Sequence, residues 1–211
     1  MGGPMSTGSP MTVQRIDEGL WRWTAPHPGW RSPKGGWDPE VACVYLECPD
    51  AVVVIDPLVP AEPADRERFW RALDGDVARL GLPVLVVVSV RWHARSAAEV
   101  AARYPVARIW GPRPTRAPLA QGLHGIRIPA GREYAMWIPA HRTLVTADTL
   151  LGDGAGGLTM CPRSWLPAGR TLDQLRADLA PLLDLDVRRV LTSHGPPVLE
   201  GGAAALRSAL G

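Results

Sequence analysis

Three apolar runs in this chain each stop at a polar side chain. Val52-Val53-Val54-Ile55 ends at Asp56, Leu144-Val145-Thr146-Ala147 at Asp148, and Val190-Leu191-Thr192-Ser193 at His194. Short runs of this kind read as strands buried on both faces, which need helices on either side of a sheet. The residue that follows such a strand sits on a loop at the sheet end, where binding and catalytic groups gather. The rest of the pattern agrees. Strand pairs come first, at 13–16 with 20–24 and at 41–47 with 51–56, joined at Glu18-Gly19 and Cys48-Pro49-Asp50. Strands at 84–90, 107–110, 126–128, 133–138, 143–146 and 189–193 then share the chain with helices. One helix is expected over 64–80, with Phe69, Leu73, Val77 and Leu80 on one face. Another carries Leu172, Leu175, Leu179, Leu182 and Leu183, and a last one covers 203–210. This predicts an α/β protein with mixed sheets covered by helices.

Two helix starts carry a stronger signal. Ser96-Ala97-Ala98-Glu99 and Thr171-Leu172-Asp173-Gln174 have the form of a capping box. The 211 residues suit a single domain over 13–211. It follows a Gly/Ser/Pro-rich stretch, 1–12, expected to be a disordered tail because it lacks a basic and an apolar signal region. No apolar run is long enough for a membrane span, and a net charge of +2 gives no basis for a nucleic-acid partner. The expected partner is a small molecule, and the expected location is the cytoplasm. Oligomeric state is not readable. Lys34 is the only lysine, which argues against Schiff-base chemistry, and Cys43, Cys48 and Cys161 form no C-x-x-C pair.

The loop after the 84–90 strand spells Ser89-Val90-Arg91-Trp92-His93-Ala94-Arg95-Ser96. Taken with Val54-Ile55-Asp56-Pro57-Leu58, with the stretch from Pro139-Ala140-His141 to Asp148-Thr149-Leu150, and with Ser193-His194-Gly195-Pro196-Pro197, it resembles the metallo-β-lactamase superfamily. The resemblance runs from about residue 20 to 210. It implies an αββα sandwich of two mixed β-sheets flanked by helices, and hydrolysis with one or two zinc ions. The family's His-x-His-x-Asp-His motif reads here as Arg-x-His-x-Arg-Ser. Arg91 replaces the first histidine, His93 keeps the second, Arg95 replaces the acid, and Ser96 the last histidine. Pro129-Ala130-Gly131-Arg132 supplies no further histidine, and His124 stands several residues early. Asp148 and His194 are kept, and Asp56 is implied as a supporting carboxylate behind the ligands. His93, Asp148 and His194 are therefore the implied catalytic and metal-holding set.

Two readings follow, and whether the protein is an enzyme stays open between them. In the first, the metal site is largely lost and no cofactor is bound. A non-classical or inactive hydrolase relative then takes a small anionic or apolar ligand. Arg91 or Arg95 pairs with Asp148, and the two arginines, with Trp30, Trp37 and Trp92, make the binding surface. Nine tryptophans against one phenylalanine make aromatic walls a natural expectation. In the alternative, one weakly bound zinc serves a mononuclear hydrolase of an ester, thioester or amide. His93 and His194 also read simply as hydrogen-bonded loop histidines, Asp148 as a turn cap, Ser96 as a helix cap, and His27 and His141 as exposed turn residues.

Overall fold

The structure, a computed structural model, describes residues 10–31, 36–112 and 118–211. Its first sheet runs in chain order: β1 (Thr12–Asp17), β2 (Leu20–Pro26), β3 (Glu40–Cys48), β4 (Ala51–Ile55), β5 (Val84–Val87) and β6 (Arg108–Trp110). The first three pairings are antiparallel, and β4–β5 and β5–β6 are parallel. The second sheet is built from β7 (His124–Ile128), β8 (Glu133–Ile138), β9 (Thr143–Thr146) and β12 (Arg189–Thr192), in the order β12-β9-β8-β7. There β12 runs parallel to β9, and the other pairs are antiparallel. Between them in sequence, β10 (Leu150–Gly152) and β11 (Leu158–Met160) form a separate hairpin. The helices are α1 (Pro63–Leu80), α2 (Ala97–Arg103), α3 (Leu172–Leu179) and α4 (Gly202–Leu210).

The period-two alternation of side chains sorts the core into three layers. In the first sheet, Cys43, Val52, Val54, Val84 and Val86 face α1 and α2 and pack with Phe69, Leu73 and Val100. Their neighbours Val44, Val53, Ile55, Leu85 and Val87 face the other way and meet Met136, Ile138, Val145 and Leu191 of the second sheet. The far side of that sheet, with Ile128, Ala135, Leu144 and Val190, is covered by Leu175, Leu179, Leu206 and Leu210 of α3 and α4. The architecture is thus an αββα sandwich, as expected.

Several local expectations hold. α1 starts under a Glu62 cap that accepts from Asp65 N, has Pro63 in its first turn, and stops at Gly81 with φ 65°. Thr171 and Gln174 form both bonds of a capping box. Ser96 does not. It precedes α2 with φ −93° and ψ 14° instead of the extended cap geometry. Its Oγ accepts from Val59 N at 3.0 Å, and Glu99 pairs with Arg66. The serine therefore ties the motif loop to the loop after β4. The N-terminal boundary also shifts: Thr12 opens β1, and buried Met11 donates its N–H to Asp65 Oδ2 at 2.7 Å. Residues 1–9 of the expected tail, Lys34, and residues 113–117 lie outside the described residues. Among the described residues, no helix is long and apolar enough to cross a membrane.

Candidate metal and active site

The carboxyl ends of β4, β5, β9 and β12 deliver Asp56, the 89–96 loop, Asp148 and His194 to one edge of the sandwich. Asp56 is buried with φ 51°, and its Oδ1 accepts from Ser89 N at 2.7 Å. Ser89 Oγ also donates to Oδ2 of that carboxylate. His93, on a 3-10 turn at Arg91–Ala94, sets Nδ1 2.9 Å from the same Oδ2. With its proton on Nδ1, His93 presents Nε2 to the pocket, the arrangement in which a carboxylate orients a metal-binding imidazole.

Asp148 Oδ1 lies 3.1 Å from His93 Nε2 and 3.2 Å from His194 Nε2. It is fully buried, yet neither imidazole makes an aligned hydrogen bond to it. One atom from each of these three residues lies within 4.8 Å of the others, the single such group among the described residues. The two Nε2 atoms and the carboxylate oxygen face one shared space. Two imidazole nitrogens and one carboxylate oxygen, with room on the open side, fit one divalent ion such as zinc. Burial and the Arg95 guanidinium push the His93 imidazole down, but Asp56 and Asp148 push it up further, to about 9. Burial would raise Asp148, yet the two histidines hold its carboxyl well below the usual range.

His194 is fixed through backbone contacts. Gly152 N donates to His194 O at 3.0 Å, and Arg22 Nη2 to Gly195 O at 3.1 Å. The approach is close: a Cβ on Gly152 would sit 2.0 Å from Pro196 O, so glycine is required there. Tryptophans finish the pocket, whose volume is about 370 Å³. Trp37 and Trp165 stand edge-on to His194 at 5.6 and 5.5 Å. Trp92 is 51% exposed and donates its indole N–H to Asp148 Oδ2.

No family model matches the sequence, and no curated protein does. Solved structures do. DIM-1 metallo-beta-lactamase aligns with a TM-score of 0.65 at 12% identity, over 96% of each chain. A metallo-beta-lactamase from Pontibacter korlensis aligns at 0.54 and 17% identity, over 95% of this chain and 97% of that one. A metallo-beta-lactamase family protein from Thermus thermophilus gives 0.52 and 16%, over 93% of this chain and 78% of that one. The chain has the metallo-β-lactamase fold.

Within the metallo-β-lactamase fold, the structure brings His93, Asp148 and His194 together with Arg95, Trp37 and Trp92. Arg91 is exposed and Trp30 stands behind the wall, so neither lines this pocket. Trp30 instead donates its indole N–H to Trp37 O at 3.0 Å and holds the loop that carries Trp37. The expected arginine–Asp148 pair does not form. The Asp148 oxygens are already met by two imidazoles and by Trp92, while Arg95 Nη1 donates to Asp56 O at 3.3 Å. His27 is not an exposed turn residue but part of the pocket wall, edge-on to Trp37 at 5.3 Å. His141 is part-buried, with Nδ1 3.5 Å from Asp17 Oδ2, and His124 belongs to β7, away from the pocket.

Sequence reasoning missed Glu133 as well as His27 and Trp165. Glu133 is 1% exposed behind Asp148, and its carboxyl accepts from Asp148 N at 3.0 Å and from the N–H and hydroxyl of Thr149. Burial, then the Asp148 charge, push it up to about 7. A lone acid heading the apolar strand Glu133-Tyr134-Ala135-Met136-Trp137-Ile138 was the available signal. Nothing in the sequence marked Trp165.

Proposed function

We propose that the protein is a metal-dependent hydrolase built on a single ion, held by His93, Asp148 and His194. The observation that carries this reading is Asp148 Oδ1, buried between two imidazole nitrogens without an aligned donor. Zinc bound there would supply Lewis acidity toward a substrate carbonyl and toward water. Asp56 fixes the His93 ring through Nδ1 so that Nε2 faces the pocket, where a bound metal would displace its proton. Trp37, Trp92 and Trp165 exclude water around a bound small molecule, which strengthens every charge interaction inside. His27 is pushed down to about 4, first by burial, and so stays neutral. Its Nδ1 accepts from Gly29 N at 3.0 Å, which leaves the ring proton on Nε2 as a donor. Arg95 stands where the resemblance places an acid, and a guanidinium takes no proton from water. An ester, thioester or amide is the bond class suited to such a site.

Elemental analysis of protein purified without chelator, before and after zinc loading, tests the reading. About one zinc per chain is expected, with ester or thioester hydrolysis that disappears on chelation and returns with zinc. Protein that retains no zinc after loading would instead be a ligand-binding relative, with the three side chains serving as a hydrogen-bonded cluster.

A further inference from the structure

Trp92 is the one exposed aromatic side chain among the described residues, yet its polar end is committed to the candidate site. It lies on the Arg91–Ala94 turn beside His93. His93 turns inward and is 2% exposed. Trp92, one residue earlier, reaches over the pocket and donates its indole N–H to Asp148 Oδ2. A surface indole could give that N–H to water and bury its ring elsewhere. Here the ring stays open to solvent while the N–H stays on a carboxylate, so packing alone does not explain the placement.

Asp148 is held at both ends. Its backbone N–H is fixed on Glu133 at 3.0 Å. The torsion that turns an aspartate carboxylate is soft and roughly two-fold, so backbone contacts do not decide which oxygen faces where. The two oxygens nonetheless have separate surroundings. Oδ1 is buried, 3.1 Å from His93 Nε2 and 3.2 Å from His194 Nε2. Oδ2 has Trp92 as its one donor among the described residues. The nearby arginines do not compete for it: Arg95 Nη1 donates to Asp56 O, and Arg91 is exposed outside the pocket wall. An indole N–H is a donor only, with no lone pair to offer an ion. While it holds Oδ2, an ion among the three side chains meets Asp148 through Oδ1.

We propose that Trp92 is a positioning residue of the metal site: its indole N–H fixes the Asp148 carboxylate so that one oxygen serves the ion and the other does not. This rests on the single-ion reading above. A carboxylate confined to one oxygen leaves a tetrahedral ion with an open position for water or substrate. A carboxylate free to turn brings both oxygens to the ion and fills that position.

Cobalt(II) is the probe, because its visible absorption is strong in a tetrahedral site and weak when further ligands are added. It is titrated into the full-length protein. Trp92→Phe is compared with the parent and with Arg91→Lys, a change in the same turn that leaves the indole in place. Circular dichroism confirms that each variant is folded. The parent is expected to take about one cobalt per chain, with a strong band. In Trp92→Phe the dissociation constant rises about tenfold or more, the cost of removing an outer partner of a ligand. The band for each bound cobalt weakens as the second oxygen comes in, and Arg91→Lys keeps the parent values. A Trp92→Phe band equal to the parent's for each bound cobalt overturns the proposal whatever happens to affinity. Lost packing can weaken binding, but it does not change the number of ligands on the ion. A parent band that is already weak overturns it too, as does an equal change in Arg91→Lys. A parent that binds no cobalt overturns the single-ion reading and this proposal with it.

Discussion

Asp148→Asn is expected to weaken zinc binding by more than about 100-fold, beyond what removal of a supporting partner behind a ligand costs. The substitution keeps the size of the side chain and an oxygen able to accept from the Trp92 indole, so the wall of the pocket stays in place. What disappears is the negative charge at Oδ1, the atom that both Nε2 nitrogens approach. With the amide oxygen kept on the Trp92 indole, the NH2 group faces the histidines and an ion, and turning it away would give up that bond. Competition with a chromophoric chelator gives the affinity, and the same samples give the rate of ester hydrolysis, which should fall with zinc occupancy. A change smaller than about tenfold would remove Asp148 from the ligand set.

Glu133→Ala is the substitution with the largest expected effect on stability, roughly 3–5 kcal/mol. Three donors from two consecutive residues, Asp148 and Thr149, would lose their acceptor inside the protein. Each buried donor left unmade costs about 1–3 kcal/mol, and the truncated side chain leaves a void as well. Glu133→Gln separates shape from chemistry. It fills the space but turns an NH2 group toward donors, so it should cost about 1–2 kcal/mol. Urea denaturation with a constant slope reads both values. The backbone N–H of Asp148 is one of the three donors, so Glu133→Ala should also loosen zinc binding. A Glu133→Ala protein as stable as the parent would show that water enters behind Asp148 and replaces the carboxyl.

How much was legible in advance follows from what each residue depends on. Asp56, Asp148 and His194 were marked because each ends an apolar strand, and strand ends are local facts of sequence. His93 was marked by the resemblance of its loop to the family motif. The mixed sheets covered by helices were legible from the pattern, and the sandwich was implied by the resemblance; helical periodicity placed Phe69 and Leu73 on the buried face of α1 and Leu175 and Leu179 on that of α3. Glu133 and His27 were hidden because their partners are distant in the chain: Thr149 for one, Trp37 and the pocket wall for the other. Ser96 misled for the same reason. Its cap pattern with Glu99 is local, but Val59 N from the preceding loop takes its oxygen. The β10–β11 hairpin was missed because its strands have three residues each, too short to alternate visibly. Asp153 Oδ1 pins that turn instead, accepting from Ala155 N and Gly157 N at 2.8 Å.

The two sheets divide the chain in order, the first built from residues up to Trp110 and the second from His124 onward. His93 belongs to the first half, Asp148 and His194 to the second. An ion held among them is therefore one more cross-link between two halves that also meet through apolar side chains, a Val90–Glu133 bridge, and the hydrogen bonds from Ala42 N to Ser193 O and from Tyr134 N to Ser89 O. Linkage then couples occupancy to folding: zinc at about 100 times its dissociation constant adds about 2.7 kcal/mol to the stability of the whole chain. The melting temperature should rise with the logarithm of free zinc and fall on chelation. A protein whose melting ignores zinc would have its two halves joined by its own contacts alone.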